Sequence, residues 1–229
     1  MPQLNRLSIN LNTVNVVIPV TADDAFRRVA GAPDEDAVWD LVELRLDLLE
    51  IEAGQTSQPL LLTPRHPDEG GGASCAEAAE RAARVEPWIP FAAALDIEVA
   101  HHESMASTVA AARDAGLAVV LSSHDFEGTP PTGELSETVL RAIDAGADII
   151  KIATRTETPG DVARLLQLLE QFPEHRLAVM GMGSLGMASR LIAARCGSVL
   201  NYASFGEANV EGQWPLAEFC ALLDRLGAR

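Results

Sequence analysis

Lys151 is the only lysine in a chain of 229 residues; the other side-chain cations, histidines aside, are sixteen arginines. It lies in Asp148-Ile149-Ile150-Lys151-Ile152-Ala153-Thr154, an apolar run of strand length. A guanidinium stays protonated, whereas a desolvated amine can lose its proton and attack a carbonyl. The plain alternative is a strand-end lysine whose stem runs along apolar surface to water. His124 stands where a second apolar run, Leu121-Ser122-Ser123-His124-Asp125-Phe126, gives way to a polar loop. Imidazole moves protons near neutral pH, although a capping or core histidine is the bland reading. An amine nucleophile and a proton shuttle on successive strands are the pair that Schiff-base chemistry needs. His66, His101, His102 and His175 lack this placement and read as surface or loop residues.

Charge is also set into the apolar runs. Val42-Glu43-Leu44-Arg45-Leu46-Asp47-Leu48 alternates, so a strand would turn its leucines one way and Glu43, Arg45 and Asp47 the other. Asp96 and Glu98 share a face in Ala94-Leu95-Asp96-Ile97-Glu98-Val99. Buried charges are costly unless they pair with one another, as a structural ladder, or meet a polar ligand. In Arg65-His66-Pro67-Asp68-Glu69-Gly70-Gly71-Gly72, Arg65 and Glu69 flank a turn. Glu69 could orient His124 and raise its basicity, or lie in a solvated loop. Gly181, Gly183 and Gly186 match G-x-G-x-x-G, with Glu207 about twenty residues on, as in a dinucleotide fingerprint. The pattern follows the seventh strand-like run and does not open a first βαβ unit. Anion binding there, with Arg190 pairing to a carboxylate, is the better reading.

The elements that would position these groups alternate. Strand-like runs fall at 14–20, 41–48, 59–64, 92–99, 117–123, 148–154, 177–182 and 198–204. Helical periodicity falls at 76–85, 104–115, 135–145, 159–172, 186–196 and 215–226. Alternation implies parallel strands with right-handed crossovers, and eight strands predict a (β/α)8 barrel, with an open doubly wound sheet as the rival. Only 49–58 separates the second and third strands, so the second βα unit is expected to be shortened to a truncated helix or a turn. No linker divides the chain, which reads as a single domain over residues 1–229. A net charge of −16 argues against a nucleic-acid partner and against an anionic membrane surface. Cys75, Cys196 and Cys220 form no metal-ligand spacing or even-numbered disulfide framework. Without a long apolar span or signal-peptide core, the expected location is the cytoplasm.

Taken in order, Glu43-x-Arg45-x-Asp47, Arg65 followed by Glu69-Gly70-Gly71, Ser123-His124-Asp125-Phe126, Asp148-x-x-Lys151-Ile152-Ala153, Met182-Gly183-x-x-Gly186-x-x-Ser189-Arg190 and Gly212-Gln213 resemble the type I 3-dehydroquinate dehydratase family of the shikimate pathway. The resemblance covers nearly the whole chain. It implies an imine on Lys151 with the ketone of 3-dehydroquinate. It also implies proton transfer by His124, a carboxylate partner in Glu69, and a carboxylate clamp in Arg190. Glu43, Arg45 and Arg65 would bind ring hydroxyls, with Asn209 and Gln213 in a lid. No metal or organic cofactor is implied, and the working form would be a homodimer. Two other functions stay open: a Schiff-base aldolase, and a non-enzymatic sensor of a related metabolite. The lid departs from the family's Ser-x-Pro-Gly-Gln, reading Asn209-Val210-Glu211-Gly212-Gln213. Glu211 would weaken binding of an anion if it pointed inward; it is expected to point to solvent. With few residues ahead of the first strand, the amino-terminal hairpin of some family members is not expected.

Overall fold

The computed structural model describes residue 10 and residues 12–30, 37–54 and 56–228. The segment ahead of the first strand, where a hairpin was not expected, lies mostly outside the described residues. Eight strands appear where the apolar runs place them: β1 (Asn15–Val20), β2 (Leu41–Arg45), β3 (Leu60–Thr63), β4 (Ala94–Glu98), β5 (Ala118–Asp125), β6 (Ile149–Arg155), β7 (Leu177–Met182) and β8 (Leu200–Ser204). A two-residue β9 (Trp214–Pro215) lies beside β8. The helices are α1 (Asp23–Ala30), α2 (Ala78–Val85), α3 (Ala106–Asp114), α4 (Thr132–Asp144), α5 (Pro159–Gln171), α6 (Gly186–Arg195) and α7 (Leu216–Arg225). Two of their starts carry a capping box. Glu77 and Glu80 close a capping box on α2, and Thr158 and Asp161 do the same for α5, with Pro159 at its first position.

The strands pair in parallel in the order β7-β6-β5-β4-β3-β2-β1-β8-β9 and curl into an α/β barrel. At the seam between β7 and β8 the ladder thins. The Val199 amide donates to the Leu177 carbonyl at 2.9 Å, and the Ser198 hydroxyl accepts from the Val179 amide at 3.1 Å. Alternation divides the apolar core in two. Val16, Ile18, Leu44, Leu62, Leu95, Ile97, Ile150 and Ile152 face the helices, with Phe219 and Leu223 of α7 among their partners. Val17, Leu41, Leu61, Ala94, Val120, Ile149, Ala178 and Leu200 fill the barrel interior. Two residues further along the same inward faces come Glu43, Thr63, Asp96, Ser122, Lys151, Met180 and Tyr202, so polar groups sit above an apolar plug.

One expectation about an element needs correction. The alternation of the second strand stops at Arg45. Residues 46–48 form a turn in which Asp47 is buried and Leu48 is exposed. The turn is stabilised by Asp47, whose carboxylate takes both Nε and Nη2 of Arg45 at 2.8 and 2.7 Å and the Gly72 amide at 3.0 Å. Between β2 and β3, residues 49–54 and 56–58 contain no helix, in keeping with the expected shortening of the second unit.

Candidate active site

A cavity of about 500 Å³ opens at the carboxyl ends of the strands. All nine residues singled out above (Glu43, Arg45, Arg65, Glu69, His124, Lys151, Arg190, Asn209 and Gln213) line it. Lys151 is 4 % exposed, which excludes the snorkelling alternative. Its Nζ lies 3.0 Å from Asp96 Oδ2 and 3.4 Å from Glu43 Oε1. Its direct polar contacts are thus two carboxylates. Asp96, next to Arg65 and Lys151, is held far below the usual carboxylate range in spite of its burial.

Behind the amine the charges close on one another. Arg65 Nη1 donates to Glu98 Oε1 at 2.8 Å and to Ser122 Oγ at 2.7 Å, and Nη2 donates to Asp96 Oδ2 at 2.9 Å. Glu98 also holds Arg81 from α2. The ladder considered as a structural alternative is therefore present, and it abuts the amine. Arg65 reaches the cavity wall with both terminal nitrogens already engaged, so its field, more than free donors, bears on a ligand.

His124 is inward-facing at the end of β5, where Ser122 pairs with Lys151 and His124 with Ala153 in register. That puts His124 on the strand next to the amine and about 6–7 Å along it, between the amine and the cavity mouth. Glu69 reaches it from a short turn, Pro67–Glu69, which Gly70 ends with a φ of 81°. Gly71 follows, where a Cβ would run into the Arg65 carbonyl. Glu69 Oε2 lies 2.8 Å from both the His124 amide and Nδ1. As a carboxylate it selects the tautomer with the proton on Nδ1, leaving the Nε2 lone pair free. Burial, ahead of all else, pushes the Glu69 pKa up to about 7. Burial, then Arg65 and Lys151, hold His124 well below its ordinary value. The raised basicity expected from a carboxylate partner is thus outweighed. The imidazole is neutral at pH 7 and ready to accept a proton.

Across the cavity, Arg190 of α6 is 3 % exposed. Its Nε donates to the Gly181 carbonyl at 3.0 Å and Nη1 to the Tyr202 carbonyl at 3.3 Å. Among the described residues it forms no ion pair, and burial lowers its pKa to about 10, so it stays charged at pH 7. The lid closes above. Gln213 Oε1 accepts from the Asn209 amide at 2.9 Å, and Asn209 Oδ1 accepts from Thr21 Oγ1 at 3.2 Å. Gly212 packs directly on Gly186, a contact that leaves no room for a side chain on either. The G-x-G-x-x-G glycines therefore include one that seats the lid. Glu211 is not part of the cavity lining; its side chain is 66 % exposed and lies 3.9 Å from Arg155.

One site residue was not singled out from the sequence. Tyr202, the only tyrosine, places its ring 4.4 Å from Lys151 Nζ and its hydroxyl 3.3 Å from Glu43 Oε1. Its uniqueness, in the last strand-like run, was the available signal. Leu48 and Phe126, both exposed, and Met180 and Met182 complete the apolar lining.

A buried amine, a neutral imidazole and an unpaired guanidinium at the carboxyl ends of a parallel α/β barrel define a lyase-type site that works through an imine. The family model for type I 3-dehydroquinase matches residues 16–228, and the chain belongs to that family. Among its relatives is the 3-dehydroquinate dehydratase of Thermodesulfovibrio yellowstonii, 32 % identical over 83 % of this chain and 87 % of its own length. The catabolic 3-dehydroquinate dehydratase of Acinetobacter baylyi is 32 % identical over 92 % and 85 %. The crystal structure of 3-dehydroquinate dehydratase from Geobacillus kaustophilus superposes with a TM-score of 0.82 at 26 % identity, covering 94 % of this chain and 92 % of that one.

Proposed function

We infer that this protein dehydrates 3-dehydroquinate to 3-dehydroshikimate by syn elimination through a Schiff base on Lys151. The observation that carries the reading is a buried lysine facing, across one cavity, a buried arginine with no counter-ion. The first demands a carbonyl to explain its place, and the second demands an anion. A keto acid supplies both.

Removing a proton next to a ketone is slow because the carbanion is unstable, and a protonated imine is a better electron sink. Lys151 gives up a proton, which the neutral His124 accepts and returns to the departing water as the imine forms. It then attacks the ketone, and loss of water leaves an iminium. His124 Nε2 takes the proton from C2. The electron pair moves into the enamine and then expels the C1 hydroxyl, which leaves as water with the proton from His124. Hydrolysis of the imine frees the conjugated enone and regenerates the amine. Glu69 positions His124 and can relay charge across their 2.8 Å bond. Arg190 binds the substrate carboxylate. Glu43, Arg45 and Arg65 frame the ring hydroxyls, and Asn209 and Gln213 close over them. Every step is redox-neutral and uses side chains alone. On the resemblance to the family, the working form is a homodimer in the cytoplasm.

Borohydride reduction in the presence of 3-dehydroquinate, followed by intact-mass measurement, tests the reading. The wild-type chain should gain one reduced ligand and produce enone absorbance on turnover. Lys151→Ala should do neither. His124→Ala should lose roughly two to four powers of ten in turnover while still forming some trapped imine. Undiminished trapping in Lys151→Ala would remove the nucleophile, and unchanged turnover in His124→Ala would remove the proton-transfer role.

A further inference from the structure

Outside the cavity, the geometry points to a divalent transition-metal site, best suited to zinc, formed by His66, Asp68 and His101. His66 opens the turn that carries Glu69, and His101 ends the short turn Val99–His101 that follows β4. Pairing of β3 with β4 brings the two turns together. His66 Nδ1 lies 3.4 Å from Asp68 Oδ2, and His101 Nε2 lies 3.7 Å from the same oxygen. All three donor atoms fall within 4.8 Å of one another. Tetrahedral zinc, with bonds of about 2.0–2.1 Å, sets its ligand atoms roughly 3.3–3.4 Å apart, close to the two nitrogen–oxygen distances here.

The imidazoles are prepared for this. His66 Nε2 lies 3.1 Å from the Ala76 carbonyl, which can only accept, so Nε2 carries the proton and Nδ1 the lone pair. That outer hydrogen bond is the kind that orients metal-binding histidines. Nδ1 at present accepts from the Asp68 amide at 3.1 Å, and an ion would displace that bond. The rings stack with centroids 3.8 Å apart and 24° between planes, so one imidazole must tilt to bring an ion into the plane of both. The Asp68 side chain is 74 % exposed, leaving remaining coordination positions to water. Two imidazoles and one carboxylate select zinc, nickel or copper over magnesium or calcium, which prefer all-oxygen sets. Asp68 and Glu69 are consecutive in one turn, so an ion here would clamp the segment that positions His124. The inference does not depend on the identity of the substrate.

The test uses full-length, tag-free protein stripped with EDTA and titrated with zinc chloride by calorimetry, and with cobalt(II) chloride by visible spectroscopy. About one equivalent should bind, cobalt should show d–d bands without thiolate charge transfer, and zinc should raise the melting temperature. His101→Ala and Asp68→Ala should each weaken binding roughly tenfold or more, and the double variant should lose the zinc-dependent rise in melting temperature. Asp68 reaches solvent freely and His101 partly, and circular dichroism of each variant checks its fold. Absence of stoichiometric binding, affinity unchanged in His101→Ala, or a thiolate signature from exposed Cys196 would overturn the assignment.

Discussion

Arg65 and Arg190 are both 3 % exposed and both reach the same cavity, yet they stand in opposite surroundings. On the β3–β4 side, Arg65 is gripped by Asp96, Glu98 and Ser122, and the network continues to Arg81 and Lys151. On the β7–β8 side, Arg190 touches two backbone carbonyls and no carboxylate. Internal carboxylates offset the desolvation of Arg65, and among the described residues none does so for Arg190. One arginine is therefore framework, and the other is the one proposed to bind the carboxylate of the substrate. The difference shows how a fold can hold a charged pocket rigid on one wall and receptive on the opposite one.

Substitution by methionine, similar in length and uncharged, separates the two. Arg190→Met should cost about 2–5 kcal/mol in binding, or roughly 30- to 5,000-fold in kcat/KM, mostly through KM. Its melting temperature should stay level or rise, because an uncompensated buried charge is gone. Steady-state kinetics and calorimetric melting read both effects, and an unaltered KM would end the clamp reading. Arg65→Met should instead lose about 3–5 kcal/mol of stability in urea titration, since Asp96 and Glu98 are left facing each other without their cation. A stable Arg65→Met with selectively raised KM would turn the comparison round and make Arg65 a direct ligand contact.

A smaller effect tests the turn beside the framework wall. Glu69 has a folded pKa near 7, above its unfolded value, so the folded chain binds more protons than the unfolded chain between about pH 4.5 and 7. Its contribution to stability therefore falls as pH rises through that window. His124, held below its ordinary value, contributes in the opposite direction. The difference between wild type and Glu69→Gln isolates the carboxyl. Glu69→Gln should gain on the order of 1–3 kcal/mol relative to wild type from pH 4.5 to 7, measured by denaturant titration at each pH. A difference that does not change with pH would show that Glu69 titrates normally.

Much of this was legible before any coordinates, and for physical reasons. Inward and outward residues alternate along a strand, so Ile150, Lys151 and Ile152 already declared which way the amine would face. Eight apolar runs separated by helical ones left few topologies. The β2 turn was not legible, because Asp47 continues the alternation on paper and is captured by Arg45 and by the amide of Gly72, which is distant in sequence. His66 and His101, read as separate loop residues, meet only because two adjacent strands end side by side.

Residue type and local periodicity, which travel with the chain, settled that one amine and one imidazole would sit inward at the ends of neighbouring strands. What each charge is for was decided only in three dimensions. Arg65 and Arg190, both buried, differ in their surroundings because electrostatic energy depends on which distant groups fill the last few ångströms around them. The basicity of His124 likewise followed from its burial beside Arg65 and Lys151, surroundings that no single stretch of sequence contains.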